Sequence, residues 1–182
     1  MPLTEQTYRA VVLEDPEGRW ELYRGRLREK PDMPARHNRF QGGLAGRLHV
    51  QLFNSEYEVR TNSVRLRRAN GATFIPDVAV VHSAWVDAIA DRLDLLETYD
   101  QPVPFVAEVW SPSTGTYDVE TKFEEYRERG DAEVWRIHPF ERTVNVWRRQ
   151  PDGTYEQTLH TGGRLTLLAL PQVTIDLDLL LR

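Results

Sequence analysis

The chain has 182 residues, 40% of them hydrophobic and 28% charged, with a formal net charge of −5. That length suits one compact domain, residues 1–182, able to bury a core without disulfides. The absence of cysteine excludes disulfides, thiolate metal sites and cysteine nucleophiles. No apolar run approaches the roughly 20 residues of a membrane span, and the N-terminal MPLTEQTYRAVVLED lacks the basic start and apolar core of a secretory signal. The expectation is a soluble protein with a cytoplasmic address and no membrane partner.

In chain order, residues 4–14 read as a short helix ended by Asp15-Pro16 and a Gly18 turn. RWELYRGRLREK (19–30) alternates around Arg24-Gly25 and reads as a strand or hairpin. After Pro31 and Pro34, Phe40, Leu44, Leu48 and Leu52 recur every fourth residue, which predicts an amphipathic helix over 36–53. YEVRTNSVRLRR (57–68) alternates as one half-exposed strand, and Asn70-Gly71 turns the chain into TFIPDVAVV, a nearly continuous apolar strand. Residues 84–96 look helical. VPFVAEVW (103–110) is a second buried strand, Thr116 to Arg129 a helix stopped by Gly130, and AEVWRIH (132–138) a third strand. TVNVWRR and TYEQTLH follow, separated by the turn residues Pro151-Asp152-Gly153. The order strand, helix, strand around 103–138 implies a crossover on a mixed sheet. The class is α/β: a mixed central sheet flanked by helices, with an added C-terminal antiparallel strand region.

Charge is unevenly distributed. Residues 24–68 hold eleven arginines and lysines against four acids, whereas the remainder holds twelve against twenty-four. Such a segment reads either as a phosphate-facing surface or as a solvated helix and strand face. Of the 23 basic residues only Lys30 and Lys122 are lysine, which draws attention to any chemistry that needs a compact ammonium.

Two acids sit in the most apolar strands: Asp77 in FIPDVAVV and Glu108 in FVAEVW. A buried carboxylate has to find a charge partner or a cation, or become protonated. Asp77 reads alone as a turn residue after Pro76, and Glu108 alone as the partner of an arginine. Together, on strands that adjoin, they resemble an oxygen-ligand site for Mg²⁺, which takes one or two carboxylates plus phosphate and water. Lys122 stands four residues after Asp118, so an ordinary i,i+4 ion pair is one reading. The other places it over the C-terminal end of the Glu108 strand, where sites gather in open α/β sheets. His37 at a helix start reads as a phosphate contact or a solvated polar residue. Trp110, Trp135 and Trp147 read as core.

Pro76-Asp77, Glu108-Val109-Trp110-Ser111-Pro112-Ser113-Thr114, Tyr117-Asp118, Lys122, Tyr126, Gly130 and Glu133-Val134-Trp135 resemble the Uma-two family of restriction-endonuclease-like proteins, in the PD-(D/E)XK nuclease superfamily. WELYRGRL (20–27) is similar to that family's opening strand pair, and Ala35-Arg36-His37 to the start of its long helix. The superfamily's usual lysine lies two residues after the acid; here that position is Trp110, and the resemblance implies that Lys122 supplies the ammonium from the helix.

The resemblance further implies Asp77 and Glu108 as metal ligands for Mg²⁺ or Mn²⁺, with the Val109 carbonyl as an extra ligand. It implies Glu21 as a further catalytic acid, and Arg36, His37, Ser111 and Ser113 as substrate-binding residues. Two positions depart from the pattern: Gly25-Arg26-Leu27 stands where Gly-Glu-Leu is usual, and His138-Pro139 where aspartate precedes proline. The implied activity is metal-dependent hydrolysis of DNA, by a protein for which a homodimer is one assembly. The alternative is a catalytically silent module on the same fold that binds nucleic acid or a partner.

Overall fold

The computed structural model describes residues 2–15, 17–92, 94–112 and 115–182, with 115–120 described by their backbone alone. The chain begins with helix α1 (Glu5–Glu14), capped by the Thr4 side chain, which accepts a hydrogen bond from the Thr7 N–H. Tyr8 and Val12, four apart, are its buried face. Strands β1 (Trp20–Tyr23) and β2 (Arg26–Glu29) form a hairpin in which Tyr23 faces Arg26. Its two linking residues, Arg24 and Gly25, have φ of 49° and 71°. A two-residue turn of the twist that matches a hairpin needs positive φ at both positions. Gly25 is doubly required, because a Cβ there would lie 2.2 Å from Pro2.

Helix α2 (Ala35–Leu52) turns Phe40, Leu44, Leu48 and Leu52 inward. The expected strand over 57–68 is two strands, β3 (Tyr57–Thr61) and β4 (Arg65–Arg67), which enter different sheets. Asn62, at φ 52°, breaks the run, and alternation along one strand could not reveal that its halves face different partners. TFIPDVAVV divides in the same way, into β5 (Thr73–Phe74) and β6 (Val78–His82). Pro76 has no N–H to give to a ladder, so the chain crosses between the sheets at Ile75–Asp77. The helix expected over 84–96 is confined to α3 (Ser83–Asp87), and turns then lead to β7 (Thr98–Tyr99).

Strand β8 (Phe105–Val109), helix α4 (Gly115–Arg129) and strand β9 (Glu133–His138) form the crossover, with β8 and β9 adjacent and parallel. Gly130, at φ 86°, ends the helix. The chain continues through β10 (Thr143–Arg149), β11 (Tyr155–His160), β12 (Arg164–Thr166), β13 (Thr174–Asp176) and α5 (Leu177–Leu180). The main sheet has the order β11-β10-β9-β8-β6-β3, the second β2-β1-β5-β4-β7, and β12 pairs with β13 alone.

Strand β8 is buried throughout and shared between two cores. Phe105, Ala107 and Val109 face α2 and the C-terminal elements, with Leu44, Trp135 and Ile175. Val106 faces the other way, with Phe74, Phe123 and Tyr126. Alternation along a strand puts Glu108 on that second face, between the main sheet, the second sheet and α4.

Candidate active site

Strands β6 and β8 are antiparallel, with Val78 opposite Ala107. One step further along the same register, Asp77 stands opposite Glu108. The Glu108 carboxylate faces α4, whereas Asp77, just before β6, caps the end of the ladder, where its carboxylate accepts the Val109 N–H and meets Lys30 and the first turn of α2. Four other ionisable groups close in: Glu21 from β1, Lys30 just after β2, His37 from the first turn of α2, and Lys122 from α4. All six are buried.

Asp77 is the most heavily compensated. The Lys30 ammonium lies 2.7 Å from Oδ1. His37 Nε2 lies 2.9 Å from Oδ2, and the Val109 N–H donates to Oδ2 at 2.7 Å. Gln41 of α2 donates to the Asp77 carbonyl at 2.8 Å, and Lys30 also donates to the Ile75 carbonyl at 2.8 Å. Burial alone would raise the Asp77 carboxyl, but Lys30 and then His37 outweigh it and hold it well below the usual carboxylate range.

Glu108 differs. It accepts a hydrogen bond from the Tyr126 hydroxyl at 2.6 Å on Oε1, and the Lys122 ammonium stands 3.4 Å from the same oxygen. Burial pushes its carboxyl up to about 7 against the pull of Lys122 and Lys30, and the charge of Asp77 adds to the rise. Lys122 is held more closely by Glu21, 2.8 Å from Oε1, and the same Glu21 oxygen accepts the Ile75 N–H at 2.9 Å. The break at Ile75–Asp77 that separates the sheets therefore also supplies main-chain groups to the cluster. Two neighbouring carboxylates with pKa values pushed apart, one firmly ionised and one titrating near neutrality, are an arrangement suited to acid–base and metal chemistry.

Of the residues expected from sequence, Asp77, Glu108, Lys122 and Glu21 come together, and Val109 joins them through its N–H. The Asp118 side chain, the competing partner for Lys122, lies outside the described residues. His37 is 1% exposed and bonded to Asp77, which corrects the reading of a solvated residue: the first turn of α2 packs over the β6–β8 junction. Ser111 is buried, with its hydroxyl 3.5 Å from the Met33 sulfur. Ser113 lies outside the described residues. Arg36 is exposed, with its guanidinium 4.8 Å from the centre of the Phe140 ring.

Sequence reasoning missed Lys30 as a site residue, although the scarcity of lysine marked it as plainly as Lys122. The basic segment is not one surface: Arg60 pairs with Glu58 and Glu97, Arg67 with Glu5 and Asp100, and Arg68 with Glu125 and Glu128. Trp135 is core, as expected, while Trp110 stacks on His138 with ring centres 4.3 Å apart.

A mixed sheet flanked by helices, with one acid on a central strand, another just before the adjoining strand and a lysine from the crossover helix, defines a restriction-endonuclease-like fold. The chain belongs to the Uma2 family, described as "Putative restriction endonuclease", whose pattern it matches over residues 5–178. A crystal structure from Anabaena variabilis, described as a "putative nuclease", is similar to 99% of this chain and 98% of its own, with a TM-score of 0.79 and 16% identity. No curated protein matches the chain. Among the described residues no helix is long and apolar enough to cross a membrane.

Proposed function

We propose that the chain is a divalent-metal-dependent endonuclease that hydrolyses phosphodiester bonds in DNA. Asp77 and Glu108 are the metal-holding carboxylates, Lys122 is the ammonium at the reacting phosphate, and Glu21 positions Lys122. The observation that carries this reading is the convergence of Glu21, Asp77, Glu108 and Lys122 from distant parts of the chain on one buried cluster. Membership in a family described as "Putative restriction endonuclease" supports the reaction class.

Mg²⁺ or Mn²⁺ suits these residues. Three carboxylates, Glu21, Asp77 and Glu108, face the two ammonium groups of Lys30 and Lys122 and the His37 ring, and Glu108, with Lys122 at 3.4 Å, is held less closely than the other two. Burial pushes the Glu108 carboxyl up to about 7, so a cation beside it would favour its ionised form. The Lys30 ammonium already places a cation on the neighbouring carboxylate. Mg²⁺ needs only one or two carboxylates and otherwise keeps water and substrate phosphate; among the described residues no three histidine or acidic side chains form a larger cage. Bound there, the ion would supply Lewis acidity to the phosphoryl oxygens and to a bound water.

Within the chain, the Val109 N–H fixes Asp77, and the carbonyl of the same residue is the proposed extra ligand. Lys122, clamped by Glu21, holds the attacking water or stabilises charge developing on the phosphoryl oxygens. The Glu108 side chain is 11% exposed, against 4% or less for Glu21, Lys30, Asp77 and Lys122, so substrate reaches the cluster from the Glu108 side. A cytoplasmic location and a homodimer belong to the same reading; sedimentation checks the latter.

Nicking of plasmid DNA across Mg²⁺ and Mn²⁺ concentrations tests the proposal. Cleavage that requires metal and disappears in Asp77→Asn and Glu108→Gln is expected. No cleavage by the wild type of supercoiled, linear or single-stranded DNA would overturn it. The contact of Lys30 with Asp77 favours a second reading, a binding module without turnover in which the lysine stands in place of the ion. Calorimetric titration with Mn²⁺ separates the two, because such a module takes up no ion at Asp77 and Glu108.

A further inference from the structure

A cleft of about 360 Å³ opens between the start of α2 and the β9–β10 turn, lined by Arg36, Arg39, Phe40, Pro139, Arg142 and Arg182. Its four guanidinium groups come from three separate parts of the chain, and all four residues are exposed. None of them forms an ion pair with a described acid, although Arg60, Arg67 and Arg68 of the same protein each hold acids. Four like charges around one cavity repel one another and lower the cost of bringing an anion there. Arg142 has φ 53°, a backbone conformation in which asparagine, aspartate or glycine is the easier choice.

The cleft is joined to the active site by a run of rings. Trp110, the residue after Val109, stacks on His138 and meets Phe140 edge-on with centres 5.9 Å apart. Phe140 is 54% exposed and carries the Arg36 guanidinium 4.8 Å from its ring centre. Guanidinium forks match phosphate oxygens in bidentate fashion. An exposed ring among such groups is the arrangement that holds nucleic-acid strands, with phosphates on the arginines and a base on the ring.

We infer that the Arg36, Arg39, Arg142 and Arg182 cleft is a phosphodiester-backbone subsite that holds the nucleic-acid strand to one side of the catalytic cluster, with Phe140 as its stacking surface. The identity of the polyanion rests on the nuclease reading; the preference for phosphate rests on the cleft itself.

The test measures anisotropy of a short labelled oligonucleotide, single-stranded and duplex, in EDTA so that no cleavage occurs. Wild type is compared with Arg39→Ser/Arg142→Ser and with a control, Arg9→Ser/Arg26→Ser, which removes two exposed arginines elsewhere and the same net charge. Thermal melting checks that each variant is folded. The cleft variant is expected to bind at least about tenfold more weakly. Its slope of log affinity against log salt is expected to fall by about 1.4 to 1.8, because each phosphate that an arginine neutralises contributes roughly 0.7 to 0.9 to that slope. Phe140→Ala is expected to weaken the single strand more than the duplex. Equal losses in cleft variant and control would reduce the effect to net charge and overturn the inference. Unchanged affinity would do the same, as would displacement of the oligonucleotide by inorganic phosphate at equal phosphate concentration. Metal-dependent nicking by wild type together with unchanged binding by the cleft variant removes the subsite and leaves the nuclease reading intact. Binding through the cleft without nicking does the reverse.

Discussion

Replacing Lys30 by methionine strips an ammonium from Asp77 Oδ1, 2.7 Å away, while the apolar stem that packs in the interior is largely kept. Asp77, 1% exposed, is left with the His37 ring and the Val109 N–H, both on its other oxygen. Removing one partner of a buried ion pair costs about 3–5 kcal/mol. For a chain of this length that corresponds to a fall in Tm of roughly 6–20 °C. The carboxyl of Asp77 is held below its ordinary 3.8 in the wild type, so its pairing contributes stability above that pH and loses it only as pH falls through the lowered value. Without Lys30 the pKa rises and protonation relieves the stranded charge. The deficit of the variant is therefore largest at neutral pH and shrinks in acid. Lys30→Met/Asp77→Asn, which removes the stranded charge, should recover part of the loss.

Metal adds a second readout. An ion that binds only the folded state stabilises it by about 2.7 kcal/mol at a hundred times its Kd. Mn²⁺ should therefore raise the Tm of Lys30→Met more than that of wild type, because the ion no longer competes with an ammonium for Oδ1. Differential scanning calorimetry at neutral and acid pH, with and without Mn²⁺, measures all of this. A variant that melts within about 2 °C of wild type would refute the buried pair, because a loss of 3 kcal/mol or more could not be so small. An equal Mn²⁺ shift in both proteins would refute the idea that Lys30 occupies the cation's place.

Lys122→Arg should lower metal-dependent nicking by about a hundredfold or more, because a planar guanidinium cannot fill the compact position between Glu21 and Glu108; equal nicking by both proteins would remove Lys122 from the site. Mn²⁺ affinity, read by calorimetry, should rise with pH through about 7 and then level off, because a metal ligand has to be deprotonated and the carboxyl of Glu108, the proposed ligand, is pushed up to about 7. A flat profile between pH 5 and 8, roughly the span in which such groups titrate, would count against Glu108 as a ligand. Tyr126→Phe removes the hydroxyl that donates to Glu108 at 2.6 Å, so stability should fall by about 1–3 kcal/mol, and the midpoint of the Mn²⁺ profile should move to higher pH because a bond to the charged form is lost.

The sequence by itself determined whatever depends on near neighbours. The fourfold spacing of Phe40, Leu44, Leu48 and Leu52 set α2, Arg24-Gly25 set the first hairpin, and Gly130 set the end of α4, because helix period and turn geometry are fixed within a few residues. Asp77 and Glu108 were legible as site candidates for a similar reason: a carboxylate inside an apolar strand has to be compensated somewhere. What compensates it was decided by tertiary structure. Lys30 is 47 positions from Asp77, and Glu21 is 101 from Lys122. Only the crossing between sheets at Ile75–Asp77 brings these groups into direct contact. That crossing and the break at Asn62 turned two apparent strands into four, and Asp77 at the crossing took His37 as a buried partner. The arginine cleft arose from residues near 36, 142 and 182 that no local pattern connects. Charge pairing acts across space over a few ångströms, and chain separation carries no record of it until the sheet order is fixed.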